Sequence, residues 1–189
     1  MAFTVTEFKS NIAKGGGGAR PSLYTVDING FGMGQSFSKE ENLLVKAAQI
    51  PGATIAALPV NYAGRAYKWN GFRTFDNWTV TVINDEDFGA RNRMMQWMRL
   101  IGGKMDGTRN ATFGDPISSG KYFDGDAEVT QLGTDGKAKQ KYKFNYLWPT
   151  EISGIAVDWS SDAIQEYTVT FCYDYWTHAA SDQSVPTSP

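Results

Sequence analysis

The 189-residue sequence has one cysteine, Cys172, and one histidine, His178, and each shortage removes a class of chemistry. A lone thiol forms no intrachain disulfide and no cysteine-based zinc cluster. A lone imidazole beyond the last patterned segment would have to build any Ser-His-Asp or His-metal site on a polar tail, so no catalytic residue is expected. Neither charge is in large excess, with 18 Lys+Arg against 20 Asp+Glu and a net charge of -2, which argues against a surface that grips nucleic acid by neutralising phosphates. No apolar run nears the roughly 20 residues that cross a bilayer, and the opening MAFTVTEFKSNIAK lacks a signal-peptide core. A soluble protein that stays in the cell making it is the expectation. The glycine runs at 15–18 and 30–34 lack the Lys-Ser or Lys-Thr of a phosphate loop and the spacing of a dinucleotide fingerprint, so both read as loops.

What the chain does have is aromatic side chains, at 14%, on segments of two-residue period. Residues 1–21 hold four consecutive glycines and read as a flexible arm. Residues 22–29 alternate as a half-buried strand, and residues 39–50 suit a helix or a short strand until Pro51-Gly52 ends them. Residues 53–60 are small and apolar, and residues 63–70 alternate Tyr67 with Trp69. In residues 78–83, Trp78, Val80 and Val82 share the core face.

The run that follows, NDEDFGARNRMMQWMRLIGG, predicts one helix of about four turns. Asn84 or Asp85 is placed to cap it, with Glu86 and Asp87 in its first turn against the positive end of the helix dipole. Three adjacent carboxylates do not converge on a cation, so capping by Asn84, Asp85 and Asp87 outweighs a metal site. Residues 104–120 read as a long loop. Around Gly133-Thr134-Asp135-Gly136 a hairpin is predicted. It sets Lys137, Lys139, Lys141 and Lys143 on a wet face opposite Asp126, Glu128 and Thr130. Tyr142, Phe144, Tyr146 and Trp148 lie on the other face. Trp148-Pro149 closes that strand, residues 152–159 form another, and residues 164–176 form the longest. Residues 177–189 are a polar tail. About seven strands and one helix predict a mainly β fold, an antiparallel sandwich or barrel with the helix over one opening. The domain spans residues 22–176.

Several long strings carry more than periodicity. RTFDNWTVTV at 73–82 with NDE at 84–86, LWPT at 147–150, DW at 158–159, DYW at 174–176, RPSLY at 20–24 and IPG at 50–52 stand in the order found in one family. The chain resembles the tail tube proteins of contractile-tailed (myovirus-type) bacteriophages over residues 20–176. The resemblance implies a structural, non-enzymatic virion protein, made in the host bacterial cytoplasm, with no cofactor and no metal. It implies hexameric rings that stack into the hollow inner tube through which the genome passes. The partners implied are further copies of the chain, the tail sheath protein, the baseplate hub or tube initiator, the tape measure protein, the tail terminator, and phage DNA in transit without specific binding. It also implies that the loop at 50–64 and the N-terminal arm reach the neighbouring ring, which nominates Pro51, Gly52, Thr54, Ile55, Leu58, Pro59 and Tyr62 as contact residues. The glycine run 15–18, residues 30–42 and the tail after Trp176 depart from the family pattern. The inner tube of a related contractile injection system, of bacteriocin or secretion type, shares the fold and is the alternative within this class. A monomeric β-barrel holding a small ligand among its aromatics is the alternative of another class.

Overall fold

The computed structural model describes residues 4–14, 17–29, 37–102 and 125–180. The predicted loop at 104–120, the glycine break at 30–34, part of the run at 15–18 and residues 181–189 lie outside these. Nine strands and three helices occur among the described residues. They are α1 (Val5–Lys14), β1 (Tyr24–Asn29), α2 (Lys39–Leu43), β2 (Val45–Ala48), β3 (Thr54–Tyr62), β4 (Arg65–Thr74), β5 (Trp78–Ile83), α3 (Gly89–Gly102), β6 (Gly125–Leu132), β7 (Ala138–Ile152), β8 (Glu166–Cys172) and β9 (Tyr175–Ala180). The mainly β architecture agrees with the sequence expectation, but three helices stand where one was expected.

All pairings are antiparallel. Seven strands form one connected sheet in the order β1-β6-β7-β8-β5-β2, with β9 also paired to β7, while β3 and β4 stand apart as a two-stranded ribbon. The 15-residue β7 belongs to two halves. Its stretch from Gln140 to Asn145 pairs with β9 and β6, and Trp148 to Ile152 pair with β8. Between them Tyr146 has φ 56, a left-handed conformation that shifts the alternation by one. Phe144 and Leu147 are therefore buried, while Tyr146 is exposed and Trp148 only half-buried. The sequence expectation put Phe144, Tyr146 and Trp148 on one face and ended the strand at Pro149. The bulge overturns the first, and the β8 ladder carries the strand past Pro149. On β8–β9 the break at Tyr173–Asp174 sits opposite the bulge, with the Asp174 N–H donating to the Asn145 carbonyl at 3.2 Å. The single long strand expected at 164–176 is thus two strands that serve different halves of the sheet. His178, assigned to the tail, pairs with Tyr142 inside β9.

The wet face of the β6–β7 hairpin follows the charge pattern. Glu128 pairs with Lys141 at 2.6 Å and Asp126 with Lys143 at 3.3 Å, while Lys139 reaches Asp135 in the turn at 3.0 Å. Residues 153–165, where a strand was expected over 152–159, carry no regular element. The Arg91 guanidinium donates to the Ser153 carbonyl at 3.2 Å, and Ser153 Oγ accepts from the Thr168 N–H at 2.9 Å, so the base of that segment is held.

The core is one aromatic cluster. Trp78 of β5 stacks on Phe144 of β7 at 4.4 Å between centroids and lies 5.5 Å from Phe171 of β8. Trp97 of α3 reaches Phe171 at 6.1 Å, and Phe144 meets Tyr173 edge-on at 4.9 Å. The buried stripe of α3 is Ala90, Met94 and Trp97 at helical spacing, while Phe88 and Ile101, expected on the apolar face, are exposed. Two S/T-x-x-E capping boxes unrecognised in the sequence reading start the other helices. Thr4 and Glu7 cap α1 at 3.3 and 3.2 Å, and Ser38 with Glu41 caps α2 at 3.2 and 2.7 Å. Across the fold, the Tyr24 hydroxyl of β1 donates to the Val45 and Lys46 carbonyls of β2, drawing together the two ends of the sheet.

Trp78→Ala removes the centre of the stack and leaves a cavity among Phe144 and Phe171. It is expected to lower unfolding stability by about 3–5 kcal/mol in chemical denaturation. Tyr167 provides a second check. Burial raises its phenol from 10.0 to about 12, against a partly opposing Arg91 charge, and its hydroxyl has no hydrogen-bond partner among the described residues. The raised native value means that the unfolded chain releases this proton first. Stability is therefore expected to fall between pH 10 and about 12. The Tyr167→Phe variant is expected to show a smaller loss over that range, read from denaturation midpoints.

Candidate assembly surface

The β3–β4 ribbon is where the nominated contact residues fall. Residues 50–64 were expected to be an aperiodic loop, yet β3 pairs with β4 from Thr54↔Thr74 to Tyr62↔Arg65 around a turn at Ala63-Gly64 with φ 50 and 76. Thr54, Ile55, Leu58, Pro59 and Tyr62 lie on β3, and Pro51 and Gly52 lie at its foot. Within the regular register, Leu58↔Trp69, Val60↔Tyr67 and Tyr62↔Arg65 share one face, and Ala57↔Asn70, Pro59↔Lys68 and Asn61↔Ala66 share the reverse. The ribbon is therefore two-faced, and its apolar face is exposed. Leu58 is 51% exposed, Val60 51%, Tyr62 74%, Tyr67 48% and Trp69 64%. Val60, Tyr67 and Trp69 were not nominated, although the Tyr67/Trp69 alternation was visible. Pro59 was nominated and lies on the reverse face.

The foot of the ribbon is fixed to the core by two indole groups. Trp78 Nε1 donates to the Gln49 carbonyl at 2.8 Å, and Trp176 Nε1 donates to the Gly52 carbonyl at 3.0 Å. Where β4 passes beneath Leu58, a Cβ at Gly71 would stand 2.9 Å from the Ala56 carbonyl oxygen and 3.3 Å from Leu58 Cγ. Glycine at 71 thus permits the close crossing. Arg65, Lys68 and Arg73 are the charged residues between 50 and 75, all basic, and none has an ion pair among the described residues.

The acidic run lies at the other end of β5. The Asp85 carboxylate accepts from the Gly89 N–H at 3.1 Å and so caps the start of α3. Asn84 does not cap. Its side chain donates to Gln165 Oε1 at 3.1 Å, and its N–H donates to the Gln165 carbonyl at 2.9 Å. Glu86 and Asp87 lie in an exposed turn before the helix, because α3 begins only at Gly89 after Phe88 at φ 55. The capping role expected of three residues thus belongs to Asp85 alone. Beside this end, residues 153–165 expose Val157 at 82%, Trp159 at 107% and Ile164 at 73%. The Ser160 backbone N–H, then its hydroxyl, donate to Asp158 and hold that carboxyl below the usual carboxylate range. A third uncovered apolar stripe is Val5, Phe8 and Ile12 on α1, a helix with no buried residue where a flexible arm was expected. No cluster of three or more His, Cys, Asp or Glu side chains suited to a metal occurs among the described residues. Cys172 is half-buried on the polar side of β8.

The family described as phage tail tube protein matches residues 18–179. The tail tube protein gp19 of Enterobacteria phage T4 is 35% identical over 162 residues, covering 84% of this chain and 90% of its own. The tail tube protein of Serratia phage KSP90 is 25% identical over 183 residues, covering 96% and 98%. Among solved structures, a chain of the anti-feeding prophage baseplate superposes with a TM-score of 0.64 at 8% identity, covering 88% of this chain and 98% of that one, a likeness of fold.

Leu58 and Trp69 are exposed on the ribbon's apolar face, outside the aromatic core. The Leu58→Ser/Trp69→Ser variant is expected to unfold within about 0.5 kcal/mol of the parent in denaturant titrations of the unassembled protein.

Proposed function

The chain belongs to the phage tail tube protein family and is a structural component of a contractile phage tail, and from that premise we propose how its surfaces build the tube. Six copies close side by side into a ring, and rings stack with the same face always forward. Lateral closure meets a physical need, since β1, β2 and β9 each have one side that pairs with no strand among the described residues, where a neighbouring copy can add one. Stacking is a head-to-tail contact, the kind that repeats without limit and grows a filament. The observation that carries this reading is the β3–β4 ribbon, which is anchored by Trp78 and Trp176 yet leaves a contiguous apolar face bare. That face, with the nominated Leu58 and Tyr62, reaches the next ring.

In the assembled tail the outer wall of the tube meets the sheath, its ends meet the baseplate hub or initiator and the terminator, and its bore holds the tape measure protein before the genome passes. With a net charge of -2 the subunit repels rather than retains DNA phosphates in transit. The inner tube of a related injection system would use the same surfaces, and capsid and terminase genes beside this one would identify the phage.

Negative-stain microscopy of the purified chain is the test. Hollow tubes or six-fold rings are expected from the parent. The Leu58→Ser/Trp69→Ser variant is expected to give rings or single subunits with unchanged β-sheet circular dichroism and no tubes. A parent chain that stays monomeric at all concentrations, or a variant that forms tubes as readily as the parent, overturns the proposal.

A further inference from the structure

The ribbon and the 153–165 segment leave the same pair of strands at opposite ends. β5 and β8 pair from Trp78↔Phe171 to Ile83↔Glu166. The ribbon's second strand, β4, ends four residues before Trp78, so the ribbon leaves at the first end. Residues 153–165 lead directly into Glu166, so they stand at the second, about 17 Å along the strand direction. Their chemistry is opposite as well. Residues 50–75 carry three basic residues and no acidic one, whereas residues 153–165 carry Asp158 and Asp162 and no lysine or arginine. At the second end Asp158 and Asp162 flank the bare Trp159, with Glu86 and Asp87 exposed in the neighbouring turn, and none of these four has an ion pair among the described residues.

Resting on the stacked-ring reading, we infer that the apolar face of the ribbon in one copy docks on the Trp159 segment of a second copy in the adjoining ring. Trp69, Tyr67 and Leu58 cover Trp159 and Val157, and Arg65 at the rim of that face lies toward Asp158 and Asp162. Two features make a second copy the occupant. Each surface supplies what the other lacks, aromatic on aromatic and cation on carboxylate. Their placement at opposite ends of one pair of strands lets the same contact repeat from ring to ring along a single direction. The receiving segment is held at both ends: Arg91 holds the Ser153 carbonyl, Ile155 packs on the core and Gln165 is bonded to Asn84, while residues 156–164 between them are exposed. A tryptophan at full exposure, flanked by carboxylates, has the character of an interface anchor awaiting its pocket.

Charge exchange and cross-linking test the pairing. Trp159→Ser, Arg65→Glu and Asp158→Lys are each expected to raise the protein concentration needed for tube formation by at least about tenfold, measured by sedimentation. Their circular dichroism and ring formation are expected to be unchanged. Arg65→Glu combined with Asp158→Lys is expected to recover most of that loss. In a Cys172→Ser background, Arg65→Cys together with Asp158→Cys, which keep Trp69 and Trp159, is expected to give a ladder of disulfide-linked subunits on oxidation of tubes assembled at raised protein concentration, and either substitution alone only monomers. Parent-like assembly of the three single variants, or tubes carrying both introduced cysteines that yield no ladder, overturns the pairing while the parent's own tubes leave the stacked-ring reading standing. A parent that forms no tubes overturns both.

Discussion

The position of Trp78 is the constraint on which the rest of the molecule depends. Its ring stacks on Phe144 and leans on Phe171, so it joins the two halves of the sheet at the strand they share. Its indole N–H, buried with the ring, needs an acceptor and finds one in the Gln49 carbonyl. One side chain thereby ties the hydrophobic core to the foot of the ribbon. The ribbon has no other wall to rest on, since every residue of β3 is exposed. Its direction is set by the Trp78 and Trp176 bonds at its foot, and a bare apolar face can serve assembly only if it is aimed reproducibly.

The bulge at Tyr146 matters for a related reason. A single flat sheet of seven strands would leave one face of its aromatics in water. The left-handed residue shifts β7 by one position, so that Phe144 and Leu147 both turn inward and the strand can serve two differently directed halves. The break at Tyr173–Asp174 lets the facing strand follow the same bend. The Tyr24 bond to β2 then pulls the outer strands toward each other. Bare aromatics stand at both ends of the β5–β8 pair, with basic residues beside those of the ribbon and carboxylates beside Trp159.

That sorting converts a stable subunit into a polar building block. Interior stability comes from the aromatic cluster, α3 and the paired charges of the β6–β7 face. None of these uses the ribbon tip, the exposed residues 156–164 or the α1 stripe. Surfaces needed for assembly are therefore free to be apolar without competing for the core. In the contact inferred between copies, Arg65, Lys68 and Arg73 at one end and Asp158 and Asp162 at the other, none with an ion pair among the described residues, would give direction to an attraction whose hydrophobic part has none.

By itself the sequence determined what local patterning can carry. The alternation of β5 put Trp78, Val80 and Val82 in the core, the lysines of β7 met the carboxylates of β6 close to the expected register, and the low-degeneracy strings named the family. Its single cysteine and histidine made a catalytic reading unattractive from the start. Tertiary structure decided everything that turns on one residue's backbone or on distant partners. Tyr146 at positive φ reversed an alternation that looked unbroken, because nothing in a side-chain pattern reports a single left-handed residue. Asn84 turned from capping a helix to bonding Gln165, a residue 81 positions away, because a side chain with two possible roles takes the partner that packing supplies. Residues 50–64 read as a loop because small residues and proline weaken the strand signal in β3, whereas the alternation of residues 63–70 already showed a strand, and only the pairing with β4 restores β3. Which apolar residues stay bare is likewise beyond periodicity, since a stripe facing a core and a stripe facing a neighbour have the same spacing.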